Sequence, residues 1–294
     1  MAHDLPYTRR QVLQATAGGA ASAAALVAAQ TSSAQEPSAA PGVRRGRIKQ
    51  SVCKWCYGSL SLEQLAEASA RLGLVGIDLM TPADFPTLKR HGLVSTMTAS
   101  HKLTDGLCDP KYHRQCIAEL HAAIEATAAE GWRNVICFSG NRRGIDDQQG
   151  IENCVAALKE IIPFAQEKQV TVQMELLNSR VNHADYMCDR SAWGIRLVDR
   201  VASDRFKLLY DIYHMQIMEG DVIRTIRKYP EYFGHYHTAG NPGRNEMDDT
   251  QELNYRGIVS AIVETGYDGY LGQEFIPLRD PLTSLAEAVT LCDV

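Results

Sequence analysis

The sequence predicts an α/β fold, a single (β/α)8 barrel, on three observations. After residue 46, eight short strand-like runs alternate with eight longer amphipathic segments. The 260 residues that remain of 294 once a leader is set aside are close to the roughly 250 typical of such a barrel. No glycine-rich phosphate loop follows the first strand, as an open doubly wound sheet would show.

The strands are expected at Ile48–Lys54, Val75–Met80, Val94–Ala99, Asn134–Gly140, Val172–Leu177, Lys207–Asp211, Phe233–Thr238 and Tyr270–Phe275. Leu62–Leu72 is the first helix, with Ser61 as its cap, Gln64 on the first turn and Gly73 as its stop. Pro82–His91 has the weakest periodicity of the set. Tyr112–Glu130 and Ile151–Lys168 carry apolar residues three and four apart, and Ala192–Ala202, Val222–Lys228, Tyr255–Thr265 and Leu282–Leu291 complete the alternation.

The first 34 residues read as a removable leader. Thr8-Arg9-Arg10-Gln11-Val12-Leu13 opens an Ala/Gly-rich stretch that ends in Ser32-Ser33-Ala34, a twin-arginine export pattern with cleavage after Ala34 and a periplasmic destination. The apolar part is too short and too alanine-rich to span a bilayer as an anchor. Residues 35–46 are a linker and 47–294 the catalytic domain. Losing the leader removes Arg9, Arg10 and Asp4, leaving the chain one charge more acidic than its −5. That balance, without basic runs, excludes nucleic acid as a partner, and no later segment crosses a membrane. A small molecule remains as partner; a homo-oligomer is compatible with the sequence. Of eight cysteines most fall inside elements, where free thiols act as small hydrophobes. Cys53-Lys-Trp-Cys56 is a redox pair or half a zinc site only on paper, because no second such pair exists.

Chemistry concentrates at four strand ends. Glu175, Asp211, His237 and Glu274 are separated by 36, 26 and 37 residues, about one strand-plus-helix unit each time. In a closed parallel barrel they converge on the mouth at the carboxyl ends of the strands, where such folds keep their active sites. Side chains two apart share a strand face, so Gln173 groups with Glu175, His235 with His237 and Gly272 with Glu274. A bare carboxylate against the outer helices is costly, so these sets point inward, with His237 nearer the mouth than His235. The alternative is separate polar groups with local partners. Three carboxylates and an imidazole without a thiolate suit Mn²⁺ first, with Mg²⁺, Co²⁺ or Zn²⁺ as alternatives.

The residues around this quartet resemble the hydroxypyruvate isomerase group of the xylose-isomerase-like barrels, relatives of the ketose 3-epimerases. The resemblance runs from about residue 48 to the end and rests on Met174-Glu-Leu-Leu-Asn178, Tyr210-Asp-Ile-Tyr-His-Met215, His235-Tyr-His-Thr-Ala-Gly-Asn-Pro-Gly-Arg244 and Gly272-Gln-Glu-Phe275. It implies that Glu175 and Glu274 hold the metal and move protons, that Asp211 and His237 complete the coordination, and that His214 and Arg244 contact substrate oxygens. Departures exist: those isomerases commonly carry Gln where this chain has His237, as the epimerases do not, and Asp where it has Gly240. They also carry Glu-Pro where it has Glu246-Met247.

The function expected is a metal-dependent isomerase of a small α-hydroxycarbonyl compound, working through an enediolate. A sugar epimerase or keto-sugar lyase would use the same chemistry. A non-catalytic exported sugar-binding barrel and a DNA-repair nuclease are the readings from other classes. Among loop residues, His101 is a candidate substrate contact, Trp55 is placed to wall the pocket, and Arg142 or Arg143, after Asn141, are read as solvated charge.

Overall fold

A computed structural model describes residues 45–294. Eight parallel strands close into a barrel in sequence order, β1-β2-β3-β4-β5-β6-β7-β8. They are β1 (Lys49–Cys53), β2 (Gly76–Met80), β3 (Val94–Thr98), β4 (Asn134–Cys137), β5 (Thr171–Leu176), β6 (Phe206–Asp211), β7 (Phe233–Thr238) and β8 (Tyr270–Gln273). Around them run α1 (Leu62–Arg71), α2 (Phe85–Arg90), α3 (His113–Ala129), α4 (Asp147–Glu167), α5 (Ser191–Val201), α6 (Ile212–Met218), α7 (Val222–Lys228), α8 (Tyr255–Glu264) and α9 (Pro281–Leu291). The leader expected over residues 1–34 lies outside the described residues, as does most of the linker. Its last two residues, Arg45 and Gly46, donate backbone N–H groups to the Asp293 carboxylate at 2.7 and 2.8 Å.

Local chemistry sets the helix ends. Ser61 and Gln64 form a reciprocal capping box on α1, an arrangement whose loss costs about 1 kcal/mol. Asp146 accepts from the Gln149 N–H, so α4 starts at Asp147, four residues before the apolar periodicity suggested at Ile151. The polar first turn concealed that start. Asp280 and Pro281 start α9 in the same way.

Two strand ends fall short of expectation by two residues or more. β4 stops at Cys137 rather than Gly140, and β8 stops at Gln273, which puts Glu274 one residue past the strand. α6 was not foreseen, because seven residues directly after a strand carry too little periodicity to be seen. The Asp211 side chain starts it by accepting the His214 N–H.

Most buried apolar side chains lie in one core between barrel and helices. A separate small cluster of Met97, Ile136 and Leu209 comes from β3, β4 and β6. Leu209 shares its strand face with Asp211, which puts this apolar plug beneath the mouth. Among the described residues no helix is long and apolar enough to cross a membrane.

Candidate metal centre

The ladder aligns the four strand-end side chains. Glu175 pairs with Leu209, two residues below Asp211; Asp211 pairs with His237; and Thr238 pairs with Gln273, which precedes Glu274. The structure therefore brings Glu175, Asp211, His237 and Glu274 together, all buried, with one ligand-capable atom of each within 4.8 Å of the others. His237 Nδ1 lies 3.2 Å from Glu175 Oε1 and 3.1 Å from Glu274 Oε2. Like charges about 4 Å apart repel by about 4 kcal/mol per pair at an effective dielectric of 20. Three carboxylates at this spacing thus need positive charge among them.

The other face of His237 is held by a carboxylate. Its Nε2 donates to Asp78 Oδ2 at 2.9 Å, and His235 Nε2 donates to the same oxygen at 2.6 Å. The Thr96 hydroxyl donates to Asp78 Oδ1. With Nε2 engaged by Asp78, Nδ1 is the nitrogen turned to the carboxylates, the orientation in which a carboxylate holds a metal-binding imidazole. Asp78 was missed in the sequence. Its only signal was a lone acid in the otherwise apolar run Val75–Met80. A bulge brings it inward: the β2–β3 register shifts on both sides of Asp78, and Leu79 takes a left-handed φ of 63°. Gly272 completes the space, since a Cβ there would stand 2.5 Å from Asp78 Oδ2 and 2.8 Å from His237 Cδ2.

Charge is divided unequally. Burial, then the Glu274 charge, pushes the Asp211 carboxyl well up; burial also raises Glu175. Burial opposes ionisation of Glu274 too, but His237 and Arg244 hold it well below the usual range. Burial works against protonated His237, yet Cys53, Glu274 and Asp78 push its affinity for a proton well up.

Arg244 Nη2 donates to Glu274 Oε2 at 2.7 Å and lies 3.8 Å from Asp211 Oδ2. It stands on the Asn-Pro-Gly-Arg turn, closed by Arg244 N–H to Gly240 O and Gly240 N–H to Asn245 O, each 2.8 Å. A Cβ at Gly240 would come 2.2 Å from Glu246 O, so this turn has no room for the aspartate of the resembling isomerases. Glu246 Oε1 accepts from the Leu278 and Arg279 N–H groups and from Ser284 Oγ, tying the loop after β7 to that after β8.

His214 is fully buried in α6. Asn178 Nδ2 donates to its Nδ1 at 2.5 Å, and burial followed by the nearby Arg244 charge lowers its proton affinity, so it is neutral with Nε2 protonated. Among the described residues that Nε2 has no hydrogen-bond partner, and it lies 3.8 Å from Asp211 Oδ2. His101 stands apart from the quartet: its Nδ1 faces Lys102 O at 3.1 Å and its Nε2 accepts the Phe138 N–H at 3.3 Å. Both nitrogens are thus engaged in joining the loops after β3 and β4. Arg142 and Arg143 are more than solvated charge. Arg142 pairs with Asp147 and Asp189, and Arg143 with Asp105 at 2.7 Å. Cys53 and Cys56 are buried free thiols, and Cys53 Sγ lies 3.6 Å from His237 Nε2.

A closed eight-stranded barrel with acid-and-imidazole chemistry at its carboxyl-end mouth defines the class. A sequence profile of the xylose isomerase-like TIM barrel family matches residues 61–291, and the chain belongs to that family. It is similar to the hydroxypyruvate isomerase of Escherichia coli K12, 28% identical over 236 residues, 75% of this chain and 90% of that protein. In structure it is similar to AP endonuclease, family 2, from Brucella melitensis (TM-score 0.72, 24% identity, 82% of this chain and 98% of that one). It is also similar to 3-keto-D-glucoside 4-epimerase from E. coli (TM-score 0.71, 16% identity, 83% and 98%). At these identities the two structures speak for the fold alone.

Proposed function

We propose that this isomerase holds a divalent metal, Mn²⁺ first and Mg²⁺, Co²⁺ or Zn²⁺ as alternatives, on Glu175, Asp211, His237 and Glu274. Its substrate is a small α-hydroxycarbonyl compound of the hydroxypyruvate type, and its reaction moves a proton between adjacent carbons. The carrying observation is the quartet within 4.8 Å together with His237 held by Asp78. The donor set fits: hard carboxylate oxygens around one imidazole nitrogen, whose proton an ion would displace. When bound, the ion supplies a Lewis acid for vicinal hydroxyl and carbonyl oxygens. This chain's own residues do the rest. Glu175, on β5, and Glu274, just past β8, take the proton from one carbon and return it to the next. His214 Nε2–H and Arg244 donate to the substrate oxygens on which negative charge develops. The leader directs the enzyme to the periplasm.

His237, shared in the resemblance with the epimerases, supports a second reading in which the substrate is a ketose. Purified protein is first analysed for bound metal. The Mn²⁺-loaded form is then incubated in D₂O with hydroxypyruvate and a panel of ketoses. Deuterium entering hydroxypyruvate supports the isomerase, and deuterium entering only a ketose supports the epimerase. Exchange into none of them, from protein shown to hold its metal, would overturn the proton-transfer reading.

A further inference from the structure

Trp55 lies just past β1, in a short 3-10 turn over Lys54–Cys56. It is 47% exposed, unusual for so large an apolar ring, yet it is held at two points. Its Nε1–H donates to Glu274 Oε1 at 2.8 Å, and the Arg244 guanidinium sits over its ring, 4.9 Å from the centroid. Arg244 in turn donates to Glu274 Oε2. The three side chains close a triangle in which every side is a polar or cation–π contact. Plain packing would bury the indole rather than aim its one donor at a buried carboxylate.

The triangle sorts the two oxygens of Glu274. Oε2 faces the quartet, 3.1 Å from His237 Nδ1, while Oε1 lies under the indole N–H. Among the described residues Trp55 is the only side chain that donates a hydrogen bond to Oε1. Glu274 stands beyond the end of β8, attached to the neighbouring strand by its own N–H to Thr238 O at 2.9 Å. The ladder anchors its backbone there; its carboxylate is held only by other side chains.

We propose that Trp55 is a positioning residue. Its N–H determines which oxygen of Glu274 faces the metal and which faces the substrate, and its ring holds Arg244 against the same carboxylate. This rests on the metal-site reading above, with Glu274 as a ligand and proton carrier. A carboxylate pinned in this way offers one oxygen to the ion and keeps the second, less engaged one for the proton. Without the N–H the group is free to rotate and offer both.

The test compares Trp55→Phe, which keeps a ring over Arg244 but removes the donor, with Glu274→Gln and the parent. Mn²⁺ affinity is measured on the protein alone by equilibrium dialysis, and kcat and KM by deuterium exchange. Thermal melting reports folding. Partners of ligand side chains typically contribute 10- to 100-fold, so Trp55→Phe should bind Mn²⁺ about 10-fold more weakly. Its kcat should fall by about 10-fold or more, with KM changed by less than about twofold and melting unaltered. Parent-like Mn²⁺ affinity and kcat in Trp55→Phe would overturn the proposal, and so would a loss confined to KM, the mark of a substrate wall. A loss matched by a lowered melting point overturns it as well. Glu274→Gln separates the two levels. If it keeps parent-like affinity and exchange, the metal-site reading itself has failed; if it loses them while Trp55→Phe does not, only the role of Trp55 falls.

Discussion

The two halves of the barrel are built differently. Strands β5, β6 and β7 and the residue after β8 supply the quartet; β5 pairs with β6 without interruption from Val172 to Leu176, and β6 with β7 in step from Leu209 to Asp211, above one shift between Leu208 and Leu209. Between β2 and β4 the pairing is less regular: β2 and β3 shift register twice, and β3 meets β4 through a single pair, Thr98 and Val135. The regular half fixes the positions of ligand-capable atoms through the ladder itself. The irregular half reaches across to them, with Asp78 from a bulged strand and Trp55 from a turn. Precision thus comes from regular pairing on one side and from side-chain hydrogen bonds on the other.

Four substitutions test that division, in order of effect. Glu274→Gln in the regular half should lower deuterium exchange by about 10²–10⁴-fold, the usual worth of a general acid or base. Its melting point should stay near the parent's, and full activity would remove Glu274 from the chemistry. Asp78→Asn in the irregular half should weaken Mn²⁺ binding by about 10- to 100-fold, read by dialysis. Unchanged affinity would show that His237 needs no help from across the barrel. Gly272→Ala pushes a methyl group against Asp78 and His237 where the halves meet and should cost about 1–3 kcal/mol in urea unfolding.

The smallest effect is pH-dependent. Burial opposes ionisation of Glu246, but the Arg279 and Leu278 N–H groups and Ser284 hold its carboxyl below the usual range. A lowered folded value means that its stabilisation is present above the unfolded carboxyl's pKa of about 4.3 and is lost as pH falls through the folded one. Glu246→Gln should therefore be less stable than the parent at pH 7, with the gap narrowing in acid. A gap independent of pH would assign its effect to shape rather than charge.

Much of this was legible in the sequence, and the regular half most of all. Short strand-like runs ending in an acid or an imidazole locate β5 to β8, and spacings of 36, 26 and 37 residues put Glu175, Asp211, His237 and Glu274 at one level. His237 could be separated from His235 by height alone, but not by chemistry, because both donate to Asp78. Asp78 itself was hidden, since a bulge breaks the alternation from which facing is read. The Trp55–Glu274 bond joins residues 219 apart, and nothing local signals it. The surroundings of His101 were hidden for a related reason. A position after a barrel strand points to the mouth, yet backbone groups of two loops occupy both of its nitrogens.

The thiols carry one more consequence. All eight cysteines are buried and none is paired. Folded, the chain offers an oxidant no exposed thiol; unfolded, it offers eight thiols and 105 ways to join them into four bridges. For such a chain the order of events matters more than the redox potential of its destination. If folding comes first, an oxidising compartment is harmless, and if oxidation comes first, the barrel has no native bridge to return to.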